Sequence, residues 1–241
     1  MTACLRAKMA LAAIASLTSV AAAHAGTVEV SPVTVTLQPG QTATTLSVVN
    51  HGTSRTAIQV RSFAWSQGPS SEDLTPTNEL VVSPPIFQLG PEETQTVRLL
   101  LRRPPQGVES SYRLLLDELP VGSTPGVVQF ALRLSLPLFA LPAGQGMPNL
   151  SWHIAPGASG TELVVANHGT RHDRLSGLSV SLPGGGSVKP GGLQNLYVLA
   201  GVERRLSLSL GRAGLGGASL TVTGTDDLGR VNAPAPLQST P

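Results

Sequence analysis

His168 and His172 sit four residues apart in "ANHGTRHDRL", a spacing that on a helix would turn two imidazoles to one face for zinc. Gly169 stands between them inside a turn-forming Asn-His-Gly, so the residue types read as a solvated loop without the converging partners a metal needs. His51 and His153 are isolated in sequence, and no H-E-x-x-H, C-x-x-C or EF-hand pattern occurs. Nucleophilic chemistry has no better footing: there is no G-x-S-x-G, and the one cysteine, Cys4, lies near the N-terminus. Asp226-Asp227 in "TGTDDLGR" could form an acid pair, but the setting reads as a turn or a structural ion pair. "LPGGGSVKPGG" carries glycines and Lys189, yet no helix follows whose N-terminus could hold a phosphate. The sequence nominates no catalytic residue, no metal ligands and no cofactor, and an enzyme is not expected.

The elements around these residues are strands. "NHGT" occurs twice, at Asn50–Thr53 and at Asn167–Thr170, each time between alternating apolar runs. Asn and Gly tolerate turn conformations, so each copy is expected to be a hairpin turn joining two antiparallel strands, and the repeat suggests two β-domains built alike. Strand signals run from Val28 onward: "VEVSPVTVTL", "TTLSVV", "TAIQVRSFAW", "ELVV", "TQTVRLLLR", "YRLLLDEL" and "VVQFALRLSLPLFAL" make seven. The alternation slips phase at Ser31-Pro32, where the first strand should bend or change sheets. Between these strands "SQGPSSEDLTPTNE" reads as an exposed loop and "SPPIFQLGPEE" as a proline-stiffened connection. Seven short strands with intervening turns suit an immunoglobulin-like sandwich. After the Gly- and Pro-rich "PAGQGMPN" the pattern restarts with "LSWHI" and continues to "ASLTVTGTD", while "NAPAPLQSTP" is expected to fray.

Ahead of the strands, Arg6 and Lys8 precede "MALAAIASLTSVAAA" and Ala23-His24-Ala25, the signature of a secretory signal peptide. The expected organisation is therefore a signal peptide over residues 1–25, one sandwich over 26–143 and a second over 144–241. No later run approaches the ~20 apolar residues of a membrane helix, so an exported, soluble chain is expected. Cys4 leaves with the signal, and stability must come from burial without disulfides. Losing Arg6 and Lys8 from 16 basic residues leaves 14 against 14 acidic ones. A balance near zero gives no electrostatic case for nucleic acid or an anionic membrane, so partners are to be recognised by shape and apolar contact.

The most unusual stretch is "GVVQFALRLSLPLFALP". Val128, Phe130, Leu132, Leu134, Leu136 and Leu138 form one alternating ladder opposite Gln129, Ala131, Arg133 and Ser135. Two readings stand: a long strand facing its own core, or a strand whose apolar face extends beyond its sheet and awaits a partner, since an exposed apolar edge otherwise aggregates.

At this point the chain resembles the periplasmic pilus chaperones of the chaperone–usher pathway, the PapD-like family. "SPPIFQLGPEETQTVRLLLR", "YRLLLDELP", "VVQFALRLSLPLF" and "LYVLAGVERRLSLSL" carry the resemblance in order. It implies an all-β protein of two immunoglobulin-like β-sandwich domains in an L-shaped arrangement, resident in the periplasm. It further implies a donor strand, here Val128, Phe130, Leu132 and Leu134, lent to the open groove of a pilus subunit, which an outer-membrane usher later accepts. Self-association of the free chain through the same strand is a further expectation. The family's best-known members hold the subunit's terminal carboxylate with two cations. Thr34 and Pro137 occupy those places here, which points to a divergent branch and leaves Arg61 and Arg98 as substitute cations. The family's buried ion network between domains implies roles for Glu118 and for Asp226 or Asp227. Leu141 stands where a cation is expected before Pro142, so a second-domain or linker residue must compensate, or packing holds the hinge. A secreted immunoglobulin-like adhesin or structural pilus component is the alternative reading, and an exported hydrolase lacks its constellation.

Overall fold

The computed structural model describes residues 28–119, 131–144, 146–157, 160–182, 185–191, 195–210 and 220–238. The expected signal peptide lies outside them. No helix occurs among the described residues, and none is therefore long and apolar enough to cross a membrane.

Ten strands build the first sandwich: β1 (Val28–Ser31), β2 (Val35–Leu37), β3 (Ala43–Asn50), β4 (Thr56–Gln67), β5 (Glu72–Pro76), β6 (Leu80–Ser83), β7 (Ile86–Leu89), β8 (Thr94–Leu101), β9 (Ser110–Leu119) and β10 (Arg133–Ala140). One sheet has the order β1-β3-β8-β6; the other has the order β2-β10-β9-β4-β5, with β7 also on β4. The phase slip at Ser31-Pro32 is a change of sheet, since β1 pairs with β3 whereas β2 pairs in parallel with β10. Period-two alternation puts Leu46, Val48, Ile58, Val60, Leu114, Leu116, Leu136 and Leu138 into one core between the sheets.

Two expectations fail here for the same reason. The expected loop contains β5, which pairs with the end of β4 from Phe63 to Gln67, and the expected connection contains β7, which pairs with its start. At 12 residues, β4 is long enough to template two short strands along one flank, and backbone groups there prefer ladder partners over water. Neither segment alternates apolar and polar residues over its length, so periodicity could not reveal them.

The second sandwich holds β11 (Leu150–Gly157), β12 (Gly160–Asn167), β13 (Asp173–Ser181), β14 (Ser187–Val188), β15 (Asn195–Val198), β16 (Glu203–Leu208), β17 (Leu220–Asp226) and β18 (Gly229–Ala235). Its sheets are β11-β12-β16 and β14-β13-β17-β18, with β15 on β13. The first part of the expected frayed tail instead completes β18, with Ala235 buried and Leu237 bridging to Ile154, while residues 239–241 lie outside the described residues. Prolines are tolerated there because β18 is an edge strand.

The two "NHGT" copies do occupy equivalent places, but they are not hairpins. Each carries the chain from one sheet of its sandwich to the other, from β3 to β4 and from β12 to β13. Asn50 and Asn167, each 1 % exposed, plug these arches. Asn50 Nδ2 donates to the carbonyls of Ser54, Leu89 and Gly90, and its Oδ1 accepts from Gly52 N. Asn167 Nδ2 donates to the carbonyls of Arg171 and Val198, and its Oδ1 accepts from Gly169 N and Asn149 N. The asparagine amide supplies the donors and acceptor that a hairpin ladder would otherwise provide.

Candidate functional site

Strand β10 has two different flanks. One pairs with β9 along its whole length, Arg133↔Asp117 to Ala140↔Ser110. The other pairs with β2 only at Leu138, Phe139 and Ala140. From Arg133 to Pro137 that second flank has no partner strand among the described residues, so it presents main-chain groups that another chain could bond.

Parity divides the side chains of β10. Leu134, Leu136 and Leu138 point into the first core, Leu136 at 7 % exposure and Leu138 at 0 %, with Leu134 packed at its margin. The core-facing reading of the ladder therefore holds for this part. Upstream the strand stops: Leu132 precedes β10 and is exposed, its carbonyl accepting from Glu118 N. Val128 and Phe130 lie outside the described residues.

The opposite parity, Arg133, Ser135, Pro137 and Phe139, shares the outer face of this sheet with Asp117, Leu115 and Arg113 of β9 and with Arg61, Phe63 and Trp65 of β4. At one end of this face three charges converge. Asp117 accepts from Arg61 Nη2 at 2.7 Å and Nε at 3.2 Å, and from Arg133 Nε. Burial pushes the Asp117 carboxyl up, and the hydrogen bonds from Arg133 and Arg61 outweigh it, holding the group below the usual carboxylate range. Arg61 also lies over the Phe63 ring, 5.4 Å from its centroid. Arg98 is elsewhere, exposed on β8 in the other sheet. Thr34 is exposed and Pro137 buried, one residue before the Val35↔Leu138 pair.

At the other end the face is covered by the second sandwich. Trp65, Phe139 and Leu199 form a small core with Tyr197 and Val202 at the junction. The Arg113 guanidinium sits 3.8 Å from the Trp65 ring centroid, and burial lowers its pKa. Gln67 donates to Tyr197 O and accepts from Leu199 N, while Arg204 donates to Gly68 O and Ser71 O in the β4–β5 turn.

A buried polar pair completes the junction. Both Glu109 carboxylate oxygens lie 2.8 Å from His172 Nδ1, with the Glu109 side chain fully buried and His172 at 6 %. Asp227 stands 4.0 Å from His172 Nε2 and 3.4 Å from Arg174 Nε. His172 is thus not in a solvated loop, because the first sandwich covers it. The expected network is also revised. Glu118 stays within its own sandwich, accepting from Thr56 Oγ1, and Asp226 caps its own turn through Leu228 N and Gly229 N. Of the expected acids only Asp227 faces the junction, beside His172 and Arg174. Glu109, 63 residues from His172, gave no sequence signal because the pairing depends on tertiary docking alone. No group of three or more metal-ligating side chains converges among the described residues.

This arrangement, two disulfide-free β-sandwiches with an unpaired strand flank beside their junction, defines a class. The family model of the PapD N-terminal domain, a pili and flagellar-assembly chaperone, matches residues 27–145. The chain belongs to the PapD-like pilus chaperones. It is similar to a chain of the CsuC–CsuE chaperone–tip adhesion pre-assembly complex from the archaic chaperone-usher Csu pili of Acinetobacter baumannii. That match has 25% identity over 89% of this chain and 100% of the other, with a TM-score of 0.71. The YadV chaperone shares the fold at 18% identity, covering 87% and 99%, with a TM-score of 0.63. So does a chain of the Salmonella enterica SafA pilin–SafB chaperone complex, at 21% identity, 86% and 94% coverage and a TM-score of 0.58. No curated protein matches the sequence significantly.

Proposed function

We propose that this chain is a periplasmic chaperone that holds pilus subunits by strand donation and passes them to an outer-membrane usher. The observation that carries the proposal is the one-sided pairing of β10 from Arg133 to Pro137, with exposed Leu132 just upstream. A subunit lacking a strand of its own sandwich has an apolar groove with unpaired edges. Adding a strand to such edges satisfies their main-chain groups, and alternate apolar side chains fill the pockets. Val128, Phe130 and Leu132 are the proposed donor residues, and Leu134, only partly buried at the margin of the first core, is the proposed last one, where the donor run passes into that core. In this reading residues 1–25 direct export, 26–143 form the donor domain and 144–241 the second. Among the two arginines offered as carboxylate contacts, Arg61 is favoured by its place on the outer face of the β10 sheet, whereas Arg98 belongs to the other sheet.

The test is co-expression with an immunoglobulin-like pilus subunit and purification through a tag on this chain. A one-to-one complex from the wild type, and none from a folded Leu132→Asp variant, is the expected result. A wild-type chain that recovers no subunit, or that binds a glycan alone, favours the adhesin reading instead.

A further inference from the structure

Arg133 is the first residue of β10 and stands where the free flank begins. Its guanidinium is held at Nε by Asp117, yet its side chain remains 62% exposed, and no partner is found for its terminal nitrogens among the described residues. Asp117 also takes two hydrogen bonds from Arg61, so one carboxylate serves two guanidiniums and the cluster keeps a surplus of one positive charge. Glu118, next along β9, has Thr56 Oγ1 on its carboxylate.

We propose that the strand which adds to the free flank of β10 carries an aspartate or glutamate side chain opposite Arg133, and that Arg61 and Asp117 position Arg133 to receive it. The inference rests on the strand-donation reading above. Residues directly opposed on neighbouring strands project from the same sheet face, about 4.5–5.5 Å apart at Cβ, within reach of an arginine. An added strand would remove water from Arg133, and a desolvated surplus charge is costly unless an anion meets it. Arg61 is two strands further in and works indirectly. By occupying one oxygen of Asp117 it prevents that carboxylate from neutralising Arg133 completely. An acidic residue at this one place also fixes the register of the added strand and rejects strands bearing Lys or Arg there.

The probe is the subunit that co-purifies with the wild-type chain. Arg133→Gln should weaken that complex at least about tenfold at low salt, as loss of one partner of a close interfacial charge pair does. Arg133→Lys should retain most of the affinity. Changing the facing Asp or Glu of the subunit to its amide should weaken binding to wild-type chain by a similar factor, a measurement that leaves this chain untouched. Arg133→Glu should be rescued by an arginine at that position of the subunit. Equal affinity of wild type and a folded Arg133→Gln variant at both about 0.05 M and about 0.5 M salt overturns the proposal. It is also overturned if a short glycine tail on the carboxyl end of the subunit reproduces the loss while no acid-to-amide change does, because the anion is then the terminal carboxylate. Failure of the wild-type chain to recover any subunit is a different outcome and counts against strand donation itself.

Discussion

The imidazole of His172 lies flat on the ring of Phe139, with centroids 3.5 Å apart and planes 11° from parallel, so one side chain from each sandwich closes the junction. The same imidazole meets the buried Glu109 carboxylate through Nδ1. Removing it in His172→Ala deletes the stack and strands that carboxylate, a loss of about 1–3 kcal/mol or more for a buried polar group without its partner. The expected outcome is a lower urea midpoint. Loosened docking of the two sandwiches, visible as a larger radius of gyration before unfolding, should accompany it.

Leu132 and Leu136 belong to one alternating run but should respond oppositely. Leu132→Asp places a carboxylate on an exposed position and should leave the urea midpoint nearly unchanged while abolishing capture of the pilus subunit. Leu136→Ala removes a side chain from the first core and should destabilise by about 2–5 kcal/mol. A Leu132→Asp chain that unfolds would return this residue to the core and remove it from the donor strand.

The two arches make a separate prediction. Asn50→Ala and Asn167→Ala should each destabilise, by about 1–3 kcal/mol, since each leaves buried carbonyls and an amide without partners. Gly169→Ala should also destabilise, because an added Cβ would collide with the Met147 carbonyl oxygen. The mechanism is close backbone approach; neither Gly52 nor Gly169 is among the described positive-φ glycines. Thermal unfolding of the three variants checks this directly.

His51 and Asp117 give opposite pH dependences. Hydrogen bonds to Glu29 and then Glu92 raise the His51 pKa above 6.5. Its contribution to stability is therefore complete below about pH 6.5 and lost as pH rises through the folded value. Asp117 is depressed, so its contribution is present above about pH 3.9 and lost as pH falls through the folded value. Urea midpoints across about pH 3 to pH 9 should fall at both ends, with the alkaline fall reduced in His51→Gln. The double variant His51→Gln, His168→Gln should bind the pilus subunit as the wild type does, since among the described residues the His168 ring bonds only Ser151 Oγ.

Much of this architecture is legible in the alternation of Leu46, Val48, Leu114 and Leu116, because a half-buried strand must repeat every two residues. The sheet change near Pro32 is legible as a break in that repeat. What periodicity cannot carry is the identity of the partner across a gap. The "NHGT" arches read as hairpins because the same residues serve both, and only the sheet assignment of β3 and β4 separates the cases. Phe139 sits on the polar parity of its strand, where an aromatic residue signals a second covered face, and this is the clue to the junction that the sequence does offer. Asp117 and Arg133 lie in ordinary strand context, so their meeting with Arg61 depends on the order of β4, β9 and β10.

Phe139 is 0% exposed although it projects from the outer face of its sheet, and Trp65 beside it is 4% exposed. The family match ends at residue 145, yet the aromatic contacts of the first sandwich continue into the second. A fragment cut at that point would turn two large aromatic rings toward water and lose the histidine against Glu109. The two sandwiches are therefore expected to melt together in a single transition in the wild type, and truncation there is expected to expose an apolar face rather than yield a minimal working domain.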